Sequence, residues 1–278
     1  MLGQGGANVI VVDYSCPDNT GTYVREHFPS ARLVTVEGQR NFSNWRARNA
    51  GAAIATSEVL LFCDADTILA DNCVDWLSTH LPQGALGHFE RRQQRKFNKA
   101  RHNLADNQLA GFLAVPRSAF ARIGGYDDVL EGYGAGGDTD LTYRLGASGL
   151  NFFNLDPAII EEVLEHGDDD RVRFHRDSMA QSFAAGLIYR SAKRYLMAIR
   201  NRLDLDPQVR QSLYQSARAS AAKLDTANAR VGISVPLESS PVLMSPLLGH
   251  ERGTQNISLK IDLSFGDPQP EQSRRRKR

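Results

Sequence analysis

The chain lacks most of what would staple it, anchor it or draw it to a polyanion. Cysteine is scarce: Cys16, Cys63 and Cys73 are odd in number and have no CxxC spacing. That argues against a disulfide framework or a structural zinc site and suits a reducing compartment. Long apolar runs are missing as well. No stretch approaches the roughly 18 residues of a membrane span, and the opening MLGQGGANVIVVD has no basic segment followed by an apolar one. Neither sign of charge dominates, since 33 Lys+Arg against 32 Asp+Glu leave a formal +1. No global field therefore gathers nucleic acid or an anionic membrane, and any electrostatic function is local. The expectation is a cytoplasmic location, with peripheral contact at the inner face of the membrane left open and no nucleic-acid partner.

What is present is enough apolar residue, 41% of 278 positions, to fill the core of one large unit. NVIVV (8–12) and ARLVTV (31–36) are short β-branched runs that end at Asp13 and Glu37, with the helix-compatible NTGTYVREHF between them. SNWRARNAGAAIA (43–55) is an alanine-rich helix with Ser43 as N-cap, and EVLLFCD follows as an apolar strand buried on both faces. DNCVDWLSTHL (71–81) reads as a helix and ALGHFE as a strand; QLAGFLAV resumes a strand before the helix of RSAFARI. Strands alternating with helices indicate βαβ units and an open, mostly parallel sheet flanked by helices. The basic stretch 91–106 has no apolar period and reads as a surface loop. Residues 178–203 form a long amphipathic helix with a partner over 207–224. Beyond about Asp225 the Ser- and Pro-rich composition, ending in RRRKR, predicts a poorly ordered tail. The expected division is an α/β domain over 1–175, a helical extension over 176–224 and a tail over 225–278.

LLFCDADTIL (60–69) places Asp64 and Asp66 at the end of a buried strand with Ala65 between them. Aspartates two apart on an extended segment project to one side and repel each other. A hard divalent cation, Mg2+ or Mn2+ shared with a phosphate group, relieves that repulsion. Ligands of open α/β sheets gather outside the carboxyl ends of the strands, where this pair falls. A solvated strand end explains a lone DxD equally well.

Three segments, VIVVDYSCPDNT, RARNAGAAIATSEVLLFCDADT and GGYDDVLEGYGAGGDTDLTYRL, taken together resemble the family 2 glycosyltransferases of the GT-A fold, the last of them a galactosyltransferase C-terminal motif. The likeness runs from about residue 8 to about 175. It implies a Rossmann-like nucleotide-sugar domain and a metal-dependent, inverting transfer of a hexose or N-acetylhexosamine. The donor is a UDP-like sugar and the acceptor a glycan or other hydroxyl. By this resemblance Asp13 and Ser15 contact the base, Arg48, Asn49 and Gly51 border the nucleotide, and Asp64, Ala65 and Asp66 carry the metal and donor. His166, with His175 as second candidate, supplies a third metal ligand. Asp138 is the catalytic base; Gly111, Phe112, Tyr133 and Asp140 line the acceptor side. Independently of the family, a guanidinium at Arg48 offers bidentate bonds to a bound diphosphate. Each residue also has a plainer reading: Asp13 as a turn former, Arg48 as a surface helix arginine, Asp138 as a helix N-cap.

The chain departs from the family in two places. Gly137 stands where the family has the glutamate of its acidic pair, and the sequence opens at MLGQGG, inside the connection that follows the family's first strand. A catalytically degenerate nucleotide-sugar-binding scaffold is therefore the alternative reading, and a nucleotidyltransferase is a further one. The latter wants a basic, glycine-rich phosphate loop after its first strand, which DYSCPDNTG lacks. Oligomeric state is not legible.

Overall fold

The computed structural model describes residues 6–90, 109, 111–164, 167, 173–223, 228–237 and 255–264. In chain order the elements are β1 (Ile10–Tyr14), α1 (Thr20–His27), β2 (Arg32–Val36), α2 (Asn44–Ile54), β3 (Val59–Phe62), β4 (Thr67–Leu69) and α3 (Cys73–His80). There follow β5 (Leu86–His88), β6 (Leu113–Pro116), α4 (Arg117–Arg122), α5 (Gly137–Ala147), β7 (Phe152–Asn154) and β8 (Ile160–Val163). Two long helices, α6 (Met179–Arg200) and α7 (Pro207–Ala221), and two strands, β9 (Asn228–Leu237) and β10 (Gln255–Ser264), complete the chain.

The α/β alternation is as expected, with a mixed sheet in place of a mostly parallel one. β1 and β2 pair in parallel, as do β5 and β7, but β6 runs against both its neighbours in the order β3-β6-β5-β7. Alternation along the chain does not by itself fix strand direction: β5 meets β6 antiparallel and β7 parallel. β4 and β8 form a separate antiparallel pair.

β6, between β3 and β5, is buried along its whole length, which is why FLAV is a continuous apolar run. Successive residues of β6 alternate sides: Leu113 and Val115 join the larger core cluster, Ala114 the smaller one with Leu69, Cys73 and Leu155. The larger cluster runs without a break through Leu141 and Leu145 of α5 into Ile188 and Leu196 of α6 and Leu213 of α7. The C-terminal helices thus share the core of the α/β part, with no gap in packing near residue 175.

Beneath that core lies a buried ionic cluster. Lys193 of α6 donates to Asp127 (2.6 Å) and Asp140 (3.1 Å) and lies 3.0 Å from Asp204, while Arg210 of α7 also reaches Asp127. Lys193, Asp127 and Asp140 are fully buried. Asp140, expected on the acceptor side, is instead held here by Lys193 and by Arg144 at 2.7 Å. On a helix opening at Gly137, position 140 points into the core.

In the tail, β9 and β10 form an antiparallel ribbon where a poorly ordered segment was expected. Ser and Pro dominate only around it. Within it Val231, Ile233 and Val235 fall at every second position, opposite Ile261, Leu259 and Ile257 in register, a period-two pattern that composition averages away. Among the described residues no helix is long and apolar enough to cross a membrane.

Candidate functional site

Arg48 is the hub of the site. Ser43 caps α2, accepting from the Arg46 N–H, and the helix then directs Arg48 inward between β3 and the loop before α5. The guanidinium is buried. Its Nη2 donates to Asp64 Oδ1 at 2.5 Å, and its Nη1 to Asp138 Oδ1 at 2.7 Å and to the Tyr126 hydroxyl at 2.9 Å. The Tyr126 hydroxyl in turn donates to Asp138 Oδ1 at 3.0 Å. One cation thus binds the acidic turn after β3 to the carboxylate at the start of α5. The fork expected to grip a diphosphate is occupied by these three partners.

Asp64 and Asp66 do not end an extended strand. The Thr67 N–H bonds back to the Asp64 carbonyl at 3.1 Å, closing a turn with Ala65 exposed at its tip. The alternation argument for their convergence therefore does not apply; the turn and the β4–β8 pairing set their directions. The Leu164 N–H donates to the Asp66 carbonyl at 2.7 Å, bringing the end of β8 to this turn. His166, two residues on, lies outside the described residues. His175 packs edge-on against Phe42, 5.6 Å between ring centroids, and burial lowers its pKa from the ordinary imidazole value. Among the described residues no group of three or more His, Cys, Asp or Glu gathers as a metal site. Burial pushes the thiol of Cys63, next to Asp64, up to about 12, which disfavours its thiolate.

Asp138 is the second residue of α5. The cap position belongs to Gly136, at φ +81°, so Asp138 is free to face Arg48 and Tyr126. Burial pushes its carboxyl up to about 6 against the opposing pull of Arg48, and the Asp64 charge pushes the same way.

Glycines shape what surrounds these carboxylates. A Cβ on Gly111 would collide with Asp64 Oδ2 and come within 2.8 Å of Arg48 Nη2. Gly111→Ala is therefore expected to displace the Asp64 and Arg48 side chains and to destabilise the fold by about 1–3 kcal/mol; thermal melts check it. A Cβ on Gly137 would lie 2.5 Å from the Trp45 indole. Trp45, stacked on Tyr126 at 5.5 Å, fills the space where the family's glutamate would begin.

The other expected contacts are engaged in holding the scaffold. Asp13 accepts from the Cys16 and Gly21 N–H groups, both at 2.9 Å. Ser15, at φ +54°, donates to the Val36 carbonyl and accepts from the Gln39 N–H, tying β1 to β2. Asn49 bonds both the carbonyl and the N–H of Tyr126 at 2.9 Å, which positions the hydroxyl beside Asp138. Gly51 packs against Val12. Tyr133 is exposed in the glycine loop, and Phe112 is buried on the wall of a cleft that Asp138 also lines.

Sequence reasoning missed Tyr126, Trp45 and Lys193, though signals existed. Trp45 precedes Arg48 by one helical turn, and Lys193 interrupts the apolar stripe of Tyr189, Leu196 and Met197. A lysine in such a stripe calls for buried carboxylates.

In this α/β fold, of GT-A type, one buried arginine joins the acidic turn after β3 to the first turn of α5. The chain is a glycosyltransferase, and the profile for glycosyl transferase family 2 matches its residues 6–128. A second profile, described as the N-terminal domain of galactosyltransferase, matches residues 91–167, and together the two span more than half of the chain. No curated protein matches it in sequence. Among solved structures it is similar to a mannosyltransferase from Pyrobaculum calidifontis bound to GDP-mannose and Mn2+, at 20% identity, TM-score 0.45, covering 81% of this chain and 70% of that one. It is also similar to glucosyl-3-phosphoglycerate synthase from Mycobacterium tuberculosis with Mn2+, UDP-glucose and phosphoglyceric acid, at 20% identity, TM-score 0.43, covering 66% and 68%. A third likeness is to the Drosophila beta1,4-galactosyltransferase 7 catalytic domain with xylobiose, at 16% identity, TM-score 0.36, covering 53% and 65%.

Proposed function

We propose that this glycosyltransferase moves a hexosyl or N-acetylhexosaminyl group from a UDP-sugar to a hydroxyl acceptor with inversion, assisted by Mn2+ or Mg2+. The observation that carries the reading is the single guanidinium joining Asp64 to Asp138. It sets the two carboxylates on either side of one buried cation, so that a group on the donor side and a base on the acceptor side belong to one site.

The donors present fit a hard divalent ion. Asp64 and Asp66 offer only oxygen, the donor type such an ion prefers. Two carboxylates are fewer ligands than such an ion takes, so oxygens of the donor's diphosphate would have to complete the set. When bound, the ion supplies charge neutralisation for the departing diphosphate. Asp138 accepts the proton of the acceptor hydroxyl as its oxygen bonds the anomeric carbon and the bond to the diphosphate oxygen breaks. Arg48 and Tyr126 hold the carboxylate in place, and Trp45 and Phe62 flank the guanidinium and keep water from it.

The raised Asp138 pKa has a definite consequence. A base works only when ionised, so kcat/KM is expected to rise through an apparent pKa near 6 and level off above it. The stability sign is opposite: a carboxyl raised in the folded state contributes stability below its unfolded pKa and loses it as pH rises through about 6.

Incubation with Mn2+ and a panel of nucleotide sugars tests the reading. Asp64→Asn is expected to weaken Mn2+-dependent donor binding at least tenfold; donor binding indifferent to Mn2+ and to Asp64 would overturn it. The scaffold reading draws on Gly137 and on the full engagement of Asp13. It predicts donor binding without turnover in the unaltered chain.

A further inference from the structure

The C-terminal helices pair almost all their sheltered cations. Lys193, Arg200, Arg210 and Arg218 each lie within 3.5 Å of a carboxylate. Arg190 and Arg194 are the exceptions: both are half-buried, one helical turn apart on α6, and neither makes an ion pair among the described residues. Like charges at this spacing repel each other. Among the described residues Arg190 donates only to the Gly186 carbonyl of its own helix, and burial together with the Arg194 charge lowers its pKa from the ordinary value against the pull of Asp140. The Arg194 guanidinium lies 4.3 Å over the Tyr143 ring, and its Nε is buried with no hydrogen-bond partner. Two half-buried guanidiniums one turn apart, neither in an ion pair among the described residues and one with an orphaned Nε, favour an anion that completes them.

Their position says what that anion belongs to. Arg194 lines a cleft of about 710 Å3 together with Asp138, Thr142, Tyr143, Phe112 and Phe152, a volume typical of small-molecule sites. Arg190 stands behind it, its guanidinium against Gly136, where a Cβ would lie 2.6 Å from Cζ. Neither Asp64 nor Asp66 lines this cleft, so the diphosphate of a donor held at those two residues is not what meets Arg194. Asp138 is the member of the Arg48 constellation that faces both regions. His88, also on the cleft wall, has its pKa lowered by burial and stays uncharged near neutrality, which leaves Arg194 as the cation there among the described residues.

We infer that the cleft is the acceptor site and that the acceptor carries an oxyanion, a phosphate or a carboxylate, bound by Arg194 with Arg190 behind it. The acceptor's hydroxyl then faces Asp138, and its ring lies along the Phe112 and Phe152 walls. The inference rests on the transferase reading for the role of the hydroxyl and adds the charge of the molecule that bears it.

Titration calorimetry on the full chain without donor, using glucose, glucose 6-phosphate and glucuronic acid, tests the subsite apart from catalysis. At least one of the two anionic sugars is expected to bind about tenfold or more tightly than glucose, with affinity falling as salt is added. Comparing the two anions decides between phosphate and carboxylate. Arg194→Gln is expected to reduce that preference to about threefold or less, and Arg194→Lys to retain part of it. With a UDP-sugar and Mn2+ present, the same preference is expected as a lower KM for the anionic acceptor. Equal binding of all three sugars, or a preference untouched by Arg194→Gln, overturns the subsite even if neutral sugars are glycosylated, in which case the transferase reading stands. Absence of Mn2+-dependent donor binding overturns that reading instead, whatever the sugars do at Arg194.

Discussion

Asp138→Asn is expected to lower kcat by about 10^2- to 10^4-fold while leaving donor affinity within a few-fold of the unaltered chain. Asparagine keeps the shape of the side chain and still accepts from Arg48 and Tyr126 through its amide oxygen, so α5 and the loop at Tyr126 stay in place. What is lost is the ability to take a proton. Single-turnover transfer measured beside donor binding by calorimetry separates the two effects. A drop confined to KM, with kcat kept, would remove Asp138 from the chemistry and make it a packing residue. The pH profile gives an independent check, since the inflection near 6 should vanish with the carboxyl group.

The second large effect is structural. Lys193→Met removes the cation common to Asp127, Asp140 and Asp204, all within 3.1 Å of its Nζ. Removing one partner of a buried ionic group leaves charges uncompensated, so a loss of about 3–5 kcal/mol is expected, read as a fall in Tm on the order of 10 °C. Arg144 and Arg210 remain but cannot replace it, being already committed to Asp140 and Asp127. Burial favours the neutral form of Asp127, yet Lys193 and Arg210 outweigh this and hold its pKa below the ordinary carboxylate value. Its contribution to stability is present above that ordinary value and is lost as pH falls through the depressed one. Lys193→Met should weaken this acid dependence. Replacing Asp140 by leucine in the same chain should lower stability further, because the buried Arg144 guanidinium then loses its carboxylate as well. Denaturant melts at two pH values test all three expectations.

The two effects are connected through α5. Asp138 and Asp140 stand two residues apart on one helix, the first facing the cleft and the second the ionic cluster. A helix places such residues about 200° apart around its axis. The element that presents the base is therefore held from behind by α6 and α7, and the C-terminal helices are part of the site's support.

The sequence by itself determined the succession of elements, because apolar period and cap residues are local properties. Ser43 begins α2, Pro207 opens α7, and Ser178 with Gln181 closes a capping box on α6. It also determined which acidic residues stand at strand and helix ends, and with them the family. Only the tertiary structure decided which of those residues meet. Arg48 and Asp138 are 90 positions apart and Lys193 and Asp127 are 66, and no local pattern encodes a pairing across such distances. It likewise decided that Asp140 serves the core, that Asp64 and Asp66 share a turn, and that β6 runs antiparallel to its neighbours. Each depends on how a side chain is desolvated and paired once distant segments pack, a free energy that belongs to the assembled neighbourhood and to no single segment.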